Sequence, residues 1–156
     1  MKYVKKLFYE NPLQDTCTAT VTRITGNTIQ VDQTIFFAFT GGQASDKGTI
    51  AGIEVIEAKK IDDNTIEYTL ASEPNFKVGD SVEIKIDLTR RKNLMRLHSA
   101  AHIVCFLFEK ITGIHYTKCV GSNVDATKSR LDYLLDHNIS QYFEQLTKEA
   151  NEVFTN

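Results

Sequence analysis

The sequence carries almost no net charge: 18 Lys and Arg stand against 20 Asp and Glu, a formal −2 over 156 residues. No global basic field therefore advertises a nucleic-acid partner. No apolar run approaches the length that spans a membrane, and Met1-Lys-Tyr-Val-Lys-Lys6 lacks the apolar core of a signal peptide. Cysteine is scarce. Cys17, Cys105 and Cys119 are odd in number and contain no Cys-x-x-Cys, which argues for free thiols in a reducing compartment. Internal repeats and low-complexity tracts are missing too. Together these absences predict a soluble cytoplasmic protein without a membrane partner, long enough for one compact domain or two small ones.

What is present is concentrated in one stretch, Leu94-Met-Arg-Leu-His98-Ser-Ala-Ala-His102-Ile-Val-Cys-Phe-Leu-Phe108. Leu94, Leu97, Ala101, Val104, Cys105 and Phe108 recur at spacings of three and four, the period of an amphipathic helix. His98 and His102 lie at i and i+4, about 6 Å apart along the axis, beside Leu94, Ala101 and Cys105 on the inward half of the wheel. Imidazoles at this spacing can reach one zinc, or can share carboxylates or water. Position 99 is Ser, so the pattern is not the His-Glu-x-x-His of zinc proteases. Charge gathers here as well. Between Arg90 and Arg130 there are eight Lys or Arg and only Glu109 and Asp125 in opposition, a local excess of six that can hold phosphates.

The chain divides by composition. Residues 1–88 read as all-β. The strands are Cys17–Ile24, Thr28–Val31, Ile35–Phe39, Ile50–Ile56, Thr65–Leu70 and Ser81–Ile86, with turns at Gly26-Asn27 and Asp62-Asp63-Asn64. Short strands at this spacing suggest a small barrel. From 89 to 156 the pattern is α+β. A helix over about 89–112 stops near Gly113, an antiparallel pair follows at His115–Asn123 and Lys128–Leu134, and a second helix runs over Ile139–Phe154. Between two of the early strands lies Thr40-Gly41-Gly42-Gln43-Ala44-Ser45-Asp46-Lys47-Gly48. Its order, Lys47-Gly48-Thr49, reverses the Gly-Lys-Thr of a phosphate loop, so it is not one. It is either an ordinary hairpin turn or a polar tip presented by an anchored strand.

Four segments in register resemble the alanyl-tRNA editing family, comprising the editing domain of alanyl-tRNA synthetase and the free-standing AlaX proteins. They are Gly41-Gly-Gln-Ala-Ser-Asp46-Lys-Gly48, Arg90-Arg91 with Met95-Arg96, His98-x-x-x-His102, and Gly121-Ser-x-Val124 followed by Lys128-x-Arg130-x-Asp132. The resemblance implies an α+β fold in which a translation-factor-like β-barrel (1–88) precedes a partial editing domain (89–156). It implies a zinc-dependent hydrolase that removes serine or glycine from tRNA for alanine. It assigns zinc to His98 and His102 and the reactive end of the tRNA to the loop, with Gln43 facing the aminoacyl pocket and Gly41, Gly42 and Asp46 around it. Arg90, Arg91, Lys92, Arg96 and Arg130 would hold RNA phosphates near the acceptor end.

The family completes its zinc site with a downstream Cys-x-x-x-His, which has no counterpart before Asn156. The expectation is a C-terminally truncated member with zinc weakly held or absent. Its uncovered sheet would leave an apolar patch and favour a homodimer. Two other readings stand beside hydrolysis: a non-catalytic tRNA-binding module, and a release-factor-like use of Gly-Gly-Gln, whose flanks here are phenylalanines and Asp46 instead of basic residues.

Overall fold

The computed structural model describes residues 3–155. They fall into two compact units, Met1–Asn93 and Leu94–Asn156. The class is mixed α+β, with mostly antiparallel strands and two α-helices among the described residues.

The first unit contains β1 (Lys5–Lys6), β2 (Thr16–Thr25), β3 (Thr28–Val31), β4 (Gln33–Thr34), β5 (Gly48–Ile50), β6 (Ile53–Asp62), β7 (Thr65–Leu70) and β8 (Ser81–Ile86). β1 and β4 form a short parallel pair. The other six pair antiparallel in the order β2-β3-β7-β6-β5-β8 and close back on β2 as a barrel. Alternation along the strands explains what they enclose. β8 turns Val82, Ile84 and Ile86 inward and leaves Ser81, Glu83 and Lys85 outside. β7 does the same with Ile66, Tyr68 and Leu70. Tyr68 is fully buried, and its hydroxyl donates to Thr34 Oγ1 at 2.8 Å. Burial pushes the phenol well above its ordinary pKa, so it stays a neutral donor.

Two strand assignments in the first unit are corrected. Ile50–Ile56 is not one strand. It breaks at Ala51-Gly52, where both residues take positive φ, +50° and +79°, and reverse the chain from β5 into β6. Two positive φ values are the mark of a tight hairpin turn. Ile35–Phe39 is not a strand at all, although Ile35 and Phe36 are completely buried. Side chains take the place of a partner strand. Phe36 N donates to Thr34 Oγ1, Phe37 N donates to Asp46 Oδ2, and Ile35 O accepts from Arg91. An apolar run shows that a segment is buried, not which groups satisfy its backbone.

In the chain beyond the barrel come α1 (Leu88–Thr112), β9 (Cys119–Val124), β10 (Ser129–Tyr133) and α2 (Phe143–Thr155). α1 starts within the first unit and runs on into the second. It ends at Gly113, which takes φ +71° while its N–H donates to Glu109 O at 2.8 Å. The first part of the expected strand His115–Asn123 is instead a 3-10 turn, Tyr116–Lys118. No helix among the described residues is long and apolar enough to cross a membrane.

Two substitutions test this account by urea unfolding. A Cβ on Gly48 would lie 2.0 Å from Lys85 O, where β5 meets β8. Gly48→Ala is expected to destabilise the protein by about 1–3 kcal/mol. Ala51→Gly relieves a left-handed alanine and is expected to stabilise it by up to about 1 kcal/mol.

Candidate functional site

The glycine loop is a rigid turn on a braced base. Gly41 and Gly42 take φ +59° and +79°. Thr40 and Gln43 bridge across them, Gln43 N donating to Thr40 O at 3.0 Å and Thr40 N to Gln43 O at 3.4 Å. Positive φ at both central positions requires glycine conformationally, since a Cβ on Gly41 would meet nothing within 4 Å. Gln43, half-buried, sits at the closing corner of this turn. At the base, Asp46 N donates to Phe37 O at 3.0 Å, and Phe37 N returns a bond to Asp46 Oδ2 at 2.7 Å.

Below that base lies a buried ion pair. Arg91 and Asp46 are each 3% exposed. The guanidinium meets the carboxylate in a two-pronged contact, Nε to Oδ1 at 2.9 Å and Nη2 to Oδ2. Its other N–H groups donate to Pro12 O at 2.8 Å and Ile35 O at 2.6 Å. Arg91 therefore does not lie on the surface with the other basic side chains expected to meet phosphates, and Asp46 is turned away from the loop tip. The basic pair Arg90-Arg91 looks uniform as a sequence, but neighbours on a helix point about 100° apart. Arg90 takes the other direction, giving Nε and Nη2 to Ser45 O at 3.2 and 3.1 Å. Both arginines thus grip the descending side of the loop.

Asp87, which the sequence reading did not single out, completes the brace. Its carboxylate accepts from Arg90 N at 2.9 Å and its carbonyl from Arg91 N at 3.0 Å, which makes it the N-cap of α1. Its own N–H donates to Lys47 O at 2.8 Å. The signal was available: an aspartate directly before a basic helical run.

In the second unit, His98 and His102 bring their Nε2 atoms within 3.0 Å of each other, with ring centroids 4.9 Å apart. Two nitrogens sharing one zinc at ~2.0–2.1 Å would be separated by about 3.3 Å in a tetrahedral site. The pair therefore fits as half of a zinc shell. Among the described residues no group of three or more His, Cys, Asp or Glu is placed to hold a metal. The pair also sits further out than the sequence suggests: His102 is exposed and His98 half-buried. Leu94, Ala101 and Phe108 form one buried line along α1, with Leu107 buried beside Phe108. At about 100° per residue, His98 lies about 40° and His102 about 80° round from Leu94. Partial burial, and secondarily the neighbouring His102, hold His98 below the ordinary imidazole pKa, which favours the neutral form that metals bind.

The remaining predicted residues are outward-facing. Lys92 and Arg96 are exposed one helical turn apart on α1. Arg130 is exposed on β10 and pairs with Asp132 at 3.0 Å. Cys105 is half-buried, its Sγ 3.2 Å from the Tyr133 hydroxyl.

No protein-family model matches the chain. Over 147 residues, 94% of this chain, it is 35% identical to the alanyl-tRNA editing protein AlaX-M of Pyrococcus horikoshii and spans 68% of that protein. Over 148 residues, again 94% of this chain, it is 32% identical to the alanine–tRNA ligase of Methanococcus aeolicus. Over 129 residues, 82% of this chain, it is 33% identical to the ligase of Campylobacter jejuni. It spans only 16% and 15% of those two ligases.

The ion pair makes a sharp prediction. Arg91→Ala leaves the Asp46 carboxylate buried without its cation and is expected to cost about 3–5 kcal/mol in denaturant unfolding. Arg91→Lys is expected to recover little of it, because an ammonium cannot replace the planar fork or reach Pro12 and Ile35 as well.

Proposed function

The chain belongs to the alanyl-tRNA editing family, and from that membership we propose that it hydrolyses serine or glycine wrongly joined to tRNA for alanine. The observation that carries the reading is the match to AlaX-M, which runs over 147 residues and so takes in the glycine loop and the histidine pair alike. The bond to be broken is the ester between the aminoacyl carbonyl and a ribose hydroxyl. Water adds to the carbonyl, the ribose oxygen departs with a proton, and the free amino acid is released.

The parts divide this work. His98 and His102 are the residues that would hold zinc, and when bound there zinc supplies Lewis-acid activation of water. The Gly41-Gly42 turn fixes Gln43, whose amide gives the hydroxyl of a seryl group a partner that alanine cannot use. Asp46 and Arg91 act as positioning residues that keep the loop base closed. Arg90, Lys92, Arg96 and Arg130 supply positive charge for the acceptor-end phosphates, with Arg90 also anchored on Ser45 O.

The test is deacylation of Ser-, Gly- and Ala-charged tRNA for alanine by the purified chain with added zinc. Serine and glycine are expected to be released in preference to alanine, and a chelator is expected to suppress the release. Gln43→Ala is expected to narrow the serine-over-alanine preference by about tenfold, the worth of one hydrogen bond. His98→Ala and His102→Ala are each expected to lower zinc uptake, read directly by metal analysis. Tight tRNA binding with no hydrolysis at any zinc level would replace this reading with a tRNA-binding module.

A further inference from the structure

We propose that Tyr9, with Lys6 and Lys60 beside it, is a stacking platform for an unpaired nucleotide at the 3′ end of the RNA; this rests on the editing assignment above and adds a binding site to it. Tyr9 is a large aromatic left 75% exposed, yet it is well anchored. It closes the 3-10 turn Leu7–Tyr9, where Glu10 N and Asn11 N both donate to Leu7 O at 2.9 Å. Its ring meets that of Phe8 in an inclined, edge-type contact at a centroid distance of 4.7 Å, and the buried Phe8 packs on Phe37 at 5.5 Å. One side of the ring is held and the rest lies open.

Tyr9 lines a cleft of about 30 Å³ together with Lys6, Lys60 and Thr40. That volume has no room for a base, so what the site offers is a surface to lie on, not a pocket to enter. Thr40 also opens the Thr40–Gln43 turn, so the platform adjoins the glycine loop.

Two lysines stand beside the ring, each held by a surface contact. Lys6 Nζ donates to the Asp63 carbonyl at 2.8 Å, and Lys60 Nζ pairs with the Asp63 carboxylate at 2.6 Å. Two ammonium groups are gathered beside the Asp63 carboxylate, with the Asp62 carboxylate also acting on Lys60. The Lys60–Asp63 pair is on the surface and weak, so a phosphate can compete for both lysines. Lys5 is paired separately with Glu10 at 3.1 Å. An anchored aromatic face flanked by lysines is how single-stranded nucleic acid is held without sequence readout.

The experiment measures binding of two hairpin RNAs copying the acceptor stem of tRNA for alanine, one with its unpaired 3′ nucleotides and one blunt. Tyr9→Ala is expected to weaken the first by about tenfold and leave the second unchanged. Tyr9→Phe is expected to bind as wild type. Lys60→Ala is expected to flatten the salt dependence by about one unit of slope. The Tyr9→Phe and Lys60→Ala arms stand even if Tyr9→Ala fails to fold. Equal loss on both hairpins, or on neither, overturns the platform. So does an unchanged KM of Tyr9→Ala for Ser-tRNA, which would leave the editing assignment intact. Binding that needs both Tyr9 and the unpaired end, in a chain that hydrolyses nothing, would sink the editing assignment and keep the platform.

Discussion

The buried contact between Arg91 and Asp46 is the interaction on which the first unit's candidate site depends. Two charges withdrawn from water cost several kcal/mol each unless every donor and acceptor is met. Here they are met by groups from separate parts of the chain: the carbonyls of Pro12 and Ile35, the N–H of Phe37, and the two side chains themselves. The pair is therefore a poor source of net stability and a strong source of specificity. Any arrangement that moves one of these segments strands a charge. A hydrophobic pair of the same volume would hold the segments together without fixing their register.

Because that contact closes the base, the loop above it can be short and geometrically demanding. Gly41 and Gly42 hold a backbone that other residues resist, and the Thr40–Gln43 bridge keeps the turn from relaxing. Loops that carry chemistry usually combine a stiff scaffold with a constrained tip. The histidine pair has the same character in the second unit. The i, i+4 spacing on a continuous helix presets the approach of the two Nε2 atoms before any metal is considered.

Much of this was legible from residues alone, and the limits have physical causes. Strand alternation placed β7 and β8 at Thr65–Leu70 and Ser81–Ile86, because a half-buried strand writes its period into the sequence. The helix stop at Gly113 and the turn at Gly26 were visible for similar reasons. The run Ile35–Phe39 misled because apolar content reports burial, while the satisfaction of its backbone came from the adjoining Thr34 and from Asp46 and Arg91 further along the chain. The same distance hid the roles of Arg91 and Asp46. As letters, a second arginine and a loop aspartate look like ligands for phosphate and water. Only their mutual burial shows that each is occupied by the other. Ala51 escaped notice because a left-handed alanine leaves no mark in a propensity pattern.

Only one residue separates the end of β8 from the start of α1, and that residue, Asp87, uses its N–H, carbonyl and carboxylate at once. A connection so fully committed leaves no slack for insertions or deletions. Lengthening it by even one residue would rotate the helix by about 100° and carry Arg90 and Arg91 off their targets. Length changes over the course of divergence should accumulate elsewhere, at hairpin tips such as Asp62–Asn64, while this junction keeps its size.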